Sequence, residues 1–277
     1  LDILIQRQIF MDDKPRLAVS ACLLGEKVRH NGGAAEFRAL TNEWKGHFDM
    51  VGICPEVGIG MGTPRPATRL VNDGESIRLV NSKNGDDFTS QMLEYAQLQA
   101  DALVESGICG FVFKKDSPSC GLEQVKVYRE GHAQAVRSGM GMFAKIFTTL
   151  YPHIPVIEEG RLTDPRQAEH YFTRVHFFSL WYHEGKKGWT DKAVKEFHNV
   201  NKLFLLSRSP DAKRKLGRLI AQGFDNGDHP ETVALAYMTE AQQSLNVLTK
   251  TEPIAHAMER VLGPTDTTAT PFAPLPY

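Results

Sequence analysis

The stretch Leu17-Ala18-Val19-Ser20-Ala21-Cys22 is a short apolar run that ends in a cysteine, and the chain repeats this pattern. A second run, Met50-Val51-Gly52-Ile53, is closed by Cys54. A third run over 110–115 leads through a short turn to Cys120. Runs of this length that alternate with helical stretches from Leu17 to about Glu159 predict a mainly parallel, Rossmann-like α/β sheet.

Three of the four cysteines therefore lie where a predicted strand runs out into a turn. Ligands of open α/β sheets collect outside the carboxyl ends of the strands, so Cys22, Cys54 and Cys120 are expected to face one crevice. Cys109 precedes its predicted strand, which places it at the opposite end of the sheet. Three converging thiols, with the fourth cysteine elsewhere, suggest a site for a soft metal that keeps one coordination position open.

Spacing alone also fits other interpretations of these cysteines. Free cysteines are often buried as small hydrophobic side chains. The chain has no C-x-x-C pair, and separations of 32 and 66 residues form no local metal motif. Disulfides are a third reading, but we find neither a signal peptide nor the dense cysteine usage of small secreted domains, which favours a reduced, cytoplasmic setting.

Composition places the chain among globular proteins. Its 277 residues are 42% hydrophobic and 23% charged, and no apolar stretch approaches the ~20 residues of a membrane-spanning helix. The formal net charge of -1 conceals a basic segment over 186–218, with ten Lys or Arg against three acidic residues. Such a segment favours a polyanionic partner, and no obligate protein partner is evident.

The predicted elements change character near residue 162, from mixed α/β to helices only. We therefore expect an N-terminal extension (1–14), an α/β domain (15–161), a smaller all-helical domain (162–262) and a Pro/Thr-rich tail (263–277). The elements predicted after the third strand are a helix capped by Asp86 or Asp87 and running to Ser106, a helix over 141–150, a strand over 156–159, a helix from Asp164-Pro165, one helix from Thr190 to Ser207, and helices over 211–223 and 231–262.

Several motifs over residues 15 to 160 together resemble the thiouracil desulfidase family. They occur in this order: Val19-Ser20-Ala21-Cys22-Leu23-Leu24-Gly25, Arg29 with Asn31-Gly32-Gly33, Cys54-Pro55-Glu56, Pro64-Arg65-Pro66 and Ser117-Pro118-Ser119-Cys120-Gly121. The helical segment that follows, with Phe197-His198, Lys202 and Ser209-Pro210, looks like a domain often fused to that family. The two-part arrangement resembles desulfidases that remove sulfur from 4-thiouridine in tRNA.

The resemblance implies a [4Fe-4S] cluster held by Cys22, Cys54 and Cys120, with one open iron. Such clusters normally have four thiolate ligands, so three leave one iron free for a soft thiocarbonyl sulfur. That iron would act as a Lewis acid while water adds and sulfide leaves, with no net electron transfer.

The resemblance also suggests roles for residues near the cysteines. Glu56, two residues beyond Cys54, is the candidate general base, although a loop carboxylate paired with Arg65 or Arg69 is the alternative. Ser117 is the second catalytic candidate. The expected substrate contacts are Arg29, Asn31, Lys114 and Ser119.

The basic helical segment mixes aromatic and cationic residues, which suits contact with RNA. The expected RNA-binding residues are Lys186, Lys187, Trp189, Lys192, Lys195, His198 and Lys202, of which His198 and Lys202 are four residues apart on one predicted helix face. A solvated, purely structural face is the alternative.

The leading hypothesis is thus a cluster-dependent desulfidase of 4-thiouridine in tRNA. One rival keeps the chemistry but takes free thiouracil or a thionucleotide. Another is a nucleic-acid-binding regulator that senses oxygen or iron through its cluster, and the last is a plain α/β domain with buried cysteines.

Overall fold

The computed structural model of the chain describes residues 14–246, and these residues divide into two compact units at Thr163/Asp164. The first unit is α/β and the second is helical, which confirms the predicted fold class. The predicted N-terminal extension, except Lys14, and the Pro/Thr-rich tail lie outside the described residues.

The first unit is built on a parallel four-stranded sheet. Its strands are β1 (Arg16–Ser20), β2 (Asp49–Ile53), β5 (Ile108–Phe113) and β8 (Val156–Glu158), in the order β2-β1-β5-β8. Leu17, Ala18 and Val19 are fully buried, as expected for a strand covered on both faces. The chain crosses from one side of β1 to the other between β2 and β5, so the carboxyl ends of β1 and β5 form a topological switch point where ligands bind in such sheets.

The first unit also contains a second sheet, which was not predicted from the sequence. This sheet contains β3 (Thr68–Asn72), β4 (Ile77–Asn81), β6 (Val125–Arg129) and β7 (Ala135–Gly139), in the order β4-β3-β6-β7. Its two hairpin pairs are antiparallel, and only β3 and β6 run parallel.

The helices of the first unit are α1 (Pro55–Gly58), α2 (Thr89–Glu105) and α3 (Met142–Leu150). Asp87 accepts a hydrogen bond from the Thr89 amide (2.8 Å), so it contacts the first residue of α2 while Phe88 occupies the cap position. Cys109 lies inside β5, because that strand begins two residues earlier than predicted. It is still near the amino end of the strand, away from the turn that carries Cys120.

The second unit contains only helices among its described residues. They are α4 (Pro165–Gly185), α5 (Asp191–Val200), α6 (Lys202–Arg208), α7 (Pro210–Asp225) and α8 (Pro230–Leu245). Asp164 caps α4 by accepting from the Arg166 amide, as predicted. None of the helices in 14–246 is long and apolar enough to cross a membrane.

The prediction of one helix from Thr190 to Ser207 was wrong. The chain breaks at the buried Asn201, whose side-chain amide donates to the carbonyl oxygen of Phe197 (2.8 Å) and so competes with the backbone ladder. The helix predicted over 231–262 is described only as far as Leu245.

Candidate functional site

The three cysteines that follow strands lie within electrostatic reach of one another. Cys22 is on a short 3-10 turn after β1, Cys54 directly follows β2, and Cys120 is in the turn after β5. Cys54 raises the pKa of Cys22, and both raise the pKa of Cys120. The three thiols that follow strands therefore influence one another electrostatically.

Burial dominates the protonation of all three thiols. It raises the pKa of Cys22 to about 11 and also raises the pKa of Cys54 and Cys120 above the usual thiol value. Without a bound metal the thiols are therefore protonated at neutral pH, and a metal that binds there must displace their protons. Lys114 and Arg29 oppose the rise in the pKa of Cys22, whereas Glu159 adds to it, so two cations and one carboxylate act on this thiol.

The turn that carries Cys120 is held from within. The Ser117 hydroxyl oxygen accepts from the backbone N–H groups of Ser119 (3.2 Å) and Cys120 (3.1 Å). The buried Ser20 hydroxyl, at the end of β1, hydrogen-bonds Cys120 and lowers its pKa. Ser20 also accepts from the Lys114 amide (2.9 Å), so it links the ends of β1 and β5.

Helix α3 holds the same turn from outside. The amide of Met142 donates to the Pro118 carbonyl (2.9 Å), and the amide of Ala144 donates to that of Ser119 (3.1 Å). Gly141 lies so close that a Cβ there would be 2.5 Å from the Ser119 carbonyl carbon and 2.7 Å from the Cys120 amide nitrogen. Only glycine permits this approach of α3 to the cysteine turn.

Cys54 is the N-cap residue of α1, and Pro55 occupies the first helical position. Hydrogen bonding from the Val57 amide lowers the pKa of Cys54, against the larger effect of burial. The Cys54 Sγ also lies 3.8 Å from the Val28 carbonyl, which ties this turn to the polar loop that carries Arg29.

Glu56 is buried beside the cysteines, and both of its carboxylate oxygens are engaged. Its Oε2 accepts from the Arg65 guanidinium through Nε (2.9 Å) and Nη2 (2.6 Å). Its Oε1 accepts from the hydroxyls of Thr68 (3.0 Å) and Ser119 (2.9 Å). The carboxylate therefore has the Arg65 partner foreseen as the alternative to catalysis, and it also faces the site through Ser119.

The polar loop after β1 shows less contact with the site. Arg29 is half-buried and influences the pKa of Cys22, while Asn31 is exposed and its side chain accepts from the Gly33 amide (3.1 Å).

Lys114 forms an ion pair with the buried Glu159, which also accepts from the Lys115 amide (2.7 Å). Lys114 and Glu159 both influence Cys22.

The predicted RNA-binding residues lie in three places: the connection after α4 (Lys186, Lys187 and Trp189), helix α5 (Lys192, Lys195 and His198) and the first position of α6 (Lys202). Lys187 and Lys192 pair with Glu184 (2.7 Å) and Glu196 (3.6 Å), whereas Lys186 and Lys195 lie over the rings of Tyr182 and Phe224. Lys202 is exposed.

His198 belongs to the core of the helical unit, and the half-exposed Trp189 packs against that core. The Trp189 ring packs against Trp181 (5.8 Å between centroids) and Phe197 (6.0 Å). His198 is only 8% exposed and its ring lies against Tyr237. Because α5 ends at Val200, His198 and Lys202 do not share one helix face.

The donor set suits an iron–sulfur cluster better than a single ion. Among residues 14–246, no three His, Cys, Asp or Glu side chains are close enough together to hold one metal ion. A cluster spreads its ligands over several irons, and three thiols from separate turns, two of them buried and Cys54 half-buried, match its preference for thiolate. Cys109 contacts the Gly107 carbonyl (3.6 Å) and stands apart from this set.

No role in the site was predicted from the sequence for three of its residues: Ser20, Glu159 and Tyr95. Burial raises the pKa of Tyr95, and the nearby Cys54 and Cys120 add to that rise. Tyr95 was predicted only as one residue of the helix that runs to Ser106. Nothing local in the sequence distinguishes it, because its position depends on Gly58, 37 residues earlier in the chain.

Comparison with known proteins adds three findings. The model of a family described as 2-thiouracil desulfurase matches residues 17–159. The uncharacterized protein YbbK of Bacillus subtilis (strain 168) is 34% identical over 113 residues, which are 38% of this chain and 72% of YbbK. A solved structure described as the [4Fe-4S]-dependent thiouracil desulfidase TudS is 30% identical, with a TM-score of 0.42, and the alignment covers 55% of this chain and 95% of that one. The family match includes Cys22, Cys54 and Cys120 and ends before the helical unit.

Proposed function

Since the chain belongs to the 2-thiouracil desulfurase family, we propose that it removes the thiocarbonyl sulfur of 4-thiouridine in tRNA and yields uridine and sulfide. The observation that supports the proposal is that the thiols of Cys22, Cys54 and Cys120, two of them buried and Cys54 half-buried, influence one another beside Glu56. The reaction replaces C=S by C=O with one water molecule, so no oxidant or reductant is consumed.

We assign Cys22, Cys54 and Cys120 as the ligands of a [4Fe-4S] cluster. When bound, the cluster supplies an iron with an open position, a Lewis acid for the thiocarbonyl sulfur and an acceptor for the departing sulfide. The raised pKa values of the thiols mean that cluster assembly releases protons and is favoured as the pH rises.

Glu56 takes a proton from the attacking water in this proposal, and its two carboxylate oxygens differ in their ability to accept that proton. Oε2 is bound by the Arg65 guanidinium, which can only donate. Oε1 is bound by the Thr68 and Ser119 hydroxyls, which can rotate and accept once that oxygen is protonated. The proton then passes to the leaving sulfur, and Glu56 ends the cycle as it began.

The other site residues bind and orient the substrate. Arg29 and Lys114 place positive charge beside Cys22, which suits a nucleotide oxygen or phosphate. Ser117 keeps the Cys120 turn in place through its oxygen lone pairs, which leaves its hydroxyl proton for the substrate. Asn31 and Ser119 complete the predicted contacts.

The helical unit supports tRNA as the substrate. Lys186, Lys195 and Lys202 are exposed and form no ion pair with any residue of 14–246, so their charges are available to phosphates. Trp189 remains half-exposed for contact with a base, whereas His198 acts in this proposal through the packing of α5.

A second candidate is desulfuration of free thiouracil or a thionucleotide. One observation favours it, because the family match stops at residue 159 and includes none of the basic helices. This candidate needs only the first unit.

Sulfide release distinguishes the two substrates. Anaerobically prepared wild-type protein would be given 4-thiouridine-containing tRNA, the 4-thiouridine nucleotide and 2-thiouracil in parallel. The proposal predicts a much higher kcat/KM for the tRNA, with the advantage reduced in Lys202→Gln and unchanged in Lys83→Gln, an exposed lysine of the first unit. Equal values for tRNA and nucleotide would leave the free-substrate function.

A further inference from the structure

The phenol of Tyr95 lies between the segments that carry two of the three site cysteines. A Cβ on Gly58, in α1 directly after Cys54, would be 2.2 Å from the Tyr95 Cζ and 2.3 Å from its Oη. The same ring packs against Phe143 (6.3 Å between centroids), which belongs to the first turn of α3, the helix that holds the Cys120 turn. The bare backbone of Gly58 is what admits the ring to this position.

The hydroxyl of Tyr95 has no hydrogen-bond partner within residues 14–246. The side chain is half-buried, and the electrostatic influence of both Cys54 and Cys120 reaches it. A partly buried phenol normally finds a partner for its O–H group. The Tyr95 hydroxyl is therefore available to donate a hydrogen bond to a group that Cys54 and Cys120 bind.

The site also has cationic donors, and these act on a different cysteine. Lys114 and Arg29 influence Cys22, whereas the groups that influence Tyr95 are Cys54 and Cys120. Lys114 and Arg29 are therefore suited to bind an anionic part of a substrate near Cys22. The Tyr95 phenol is instead suited to a group near Cys54 and Cys120.

We propose that the Tyr95 hydroxyl donates a hydrogen bond to a sulfur of the cluster held by Cys22, Cys54 and Cys120. The inference rests on the proposed function, because it requires the cluster. Hydrogen bonds to cluster and cysteine sulfurs help to set the reduction potential. A donor stabilises the more negative, reduced state, so it raises the potential, and by withdrawing charge from sulfur it makes the open iron a better acceptor for a thiocarbonyl.

The test compares Tyr95→Phe with Tyr128→Phe in the full chain, both reconstituted with iron and sulfide under anaerobic conditions. Tyr128 is a half-buried tyrosine on β6 whose ring lies under the Arg69 guanidinium, so its variant removes a hydroxyl from another part of the same unit. The readouts are iron and sulfide content, the midpoint potential of the cluster by redox titration, and the rate of cluster loss in air. We expect a more negative potential and faster loss for Tyr95→Phe, with Tyr128→Phe equal to wild type.

A second variant protects the test against a folding defect. Gly58→Ala keeps the hydroxyl but pushes a methyl group into the ring, so it should lower the potential as Tyr95→Phe does. Wild-type potential and stability of the cluster in both Tyr95→Phe and Gly58→Ala would overturn the inference. A wild-type chain that takes up no iron and sulfide would overturn the proposed function itself, and with it this role for Tyr95.

Discussion

Glu56 and Arg65 form the most strongly buried ion pair of the site, with side chains 11% and 6% exposed. Removing one charge of a buried pair leaves the other uncompensated, and this costs about 3–5 kcal/mol. Glu56→Gln is therefore expected to lower both sulfide release and the free energy of unfolding.

The matched control for that variant is Glu123→Gln, because Glu123 pairs with Arg161 while both side chains are about half exposed. An exposed pair contributes ~0–1 kcal/mol, so this variant should unfold like wild type. Chemical denaturation of both variants checks the prediction, and equal stabilities would show that the Glu56–Arg65 pair does not hold the site together.

His153 gives the first unit a sensitivity to acid. The side chain is 9% exposed, and burial lowers the pKa of the imidazole from 6.5 to about 4. The unfolded chain thus binds a proton between pH 6.5 and 4 that the folded chain does not, so stability is present above pH 6.5 and is lost as the pH falls.

From pH 7 to pH 5 this loss should amount to about 2 kcal/mol. His153→Gln should flatten the dependence of unfolding free energy on pH, whereas His132→Gln, at an exposed position, should not. Denaturant titrations at several pH values measure the slope, and an identical slope in wild type and His153→Gln would refute the assignment.

At the scale of elements, α3 and the Cys120 turn act as one structure through Gly141. Gly141→Ala would place a methyl group within 2.5–2.7 Å of the Ser119 and Cys120 backbone and force the turn away from α3. We expect a loss of stability of about 1–3 kcal/mol and a lower iron content after reconstitution.

Gly46→Ala is the control for that change, because a Cβ at Gly46 meets nothing within 4 Å. Metal analysis and thermal unfolding of the two variants decide the matter. Full iron content and wild-type unfolding of Gly141→Ala would mean that the turn does not depend on its contact with α3.

The elements also show what sequence reasoning could reach. The parallel strands were predictable because their buried apolar runs are continuous, as in the fully buried β5. The second sheet was missed because its strands mix polar and apolar residues, and because its two hairpins are joined by the pairing of β3 with β6, which is distant in sequence. The break at Asn201 depends on one side-chain hydrogen bond, which helical periodicity does not reveal.

The site was predictable in outline for a related reason. Strand ends can be read from the sequence, so the grouping of Cys22, Cys54 and Cys120 follows from topology. The fine contacts do not, because Tyr95, Ser20 and Glu159 reach the site only through tertiary packing.

At the scale of the whole molecule, the two units divide the proposed work between chemistry and RNA binding. If Lys186, Lys195 and Lys202 contact phosphates, tRNA affinity should fall steeply with salt, because each neutralised phosphate releases condensed counterions. Changing each lysine to glutamine should lower the slope of log affinity against log salt by something under one unit.

Turnover of a free thionucleotide should stay unchanged in the same three variants, since the cysteines belong to the other unit. Binding titrations at several salt concentrations test this division. Affinities and slopes that do not change in any lysine variant would show that these residues form only a solvated surface.

The proposed function depends on which cysteines hold the cluster. The most direct measurement is the iron and sulfide content, with the absorbance spectrum, of the four single Cys→Ala variants and wild type after anaerobic reconstitution. Cys22→Ala, Cys54→Ala and Cys120→Ala should lose the cluster, whereas Cys109→Ala should retain it and lose only about 1 kcal/mol of packing stability. A cluster that survives in Cys120→Ala and disappears in Cys109→Ala would contradict the account.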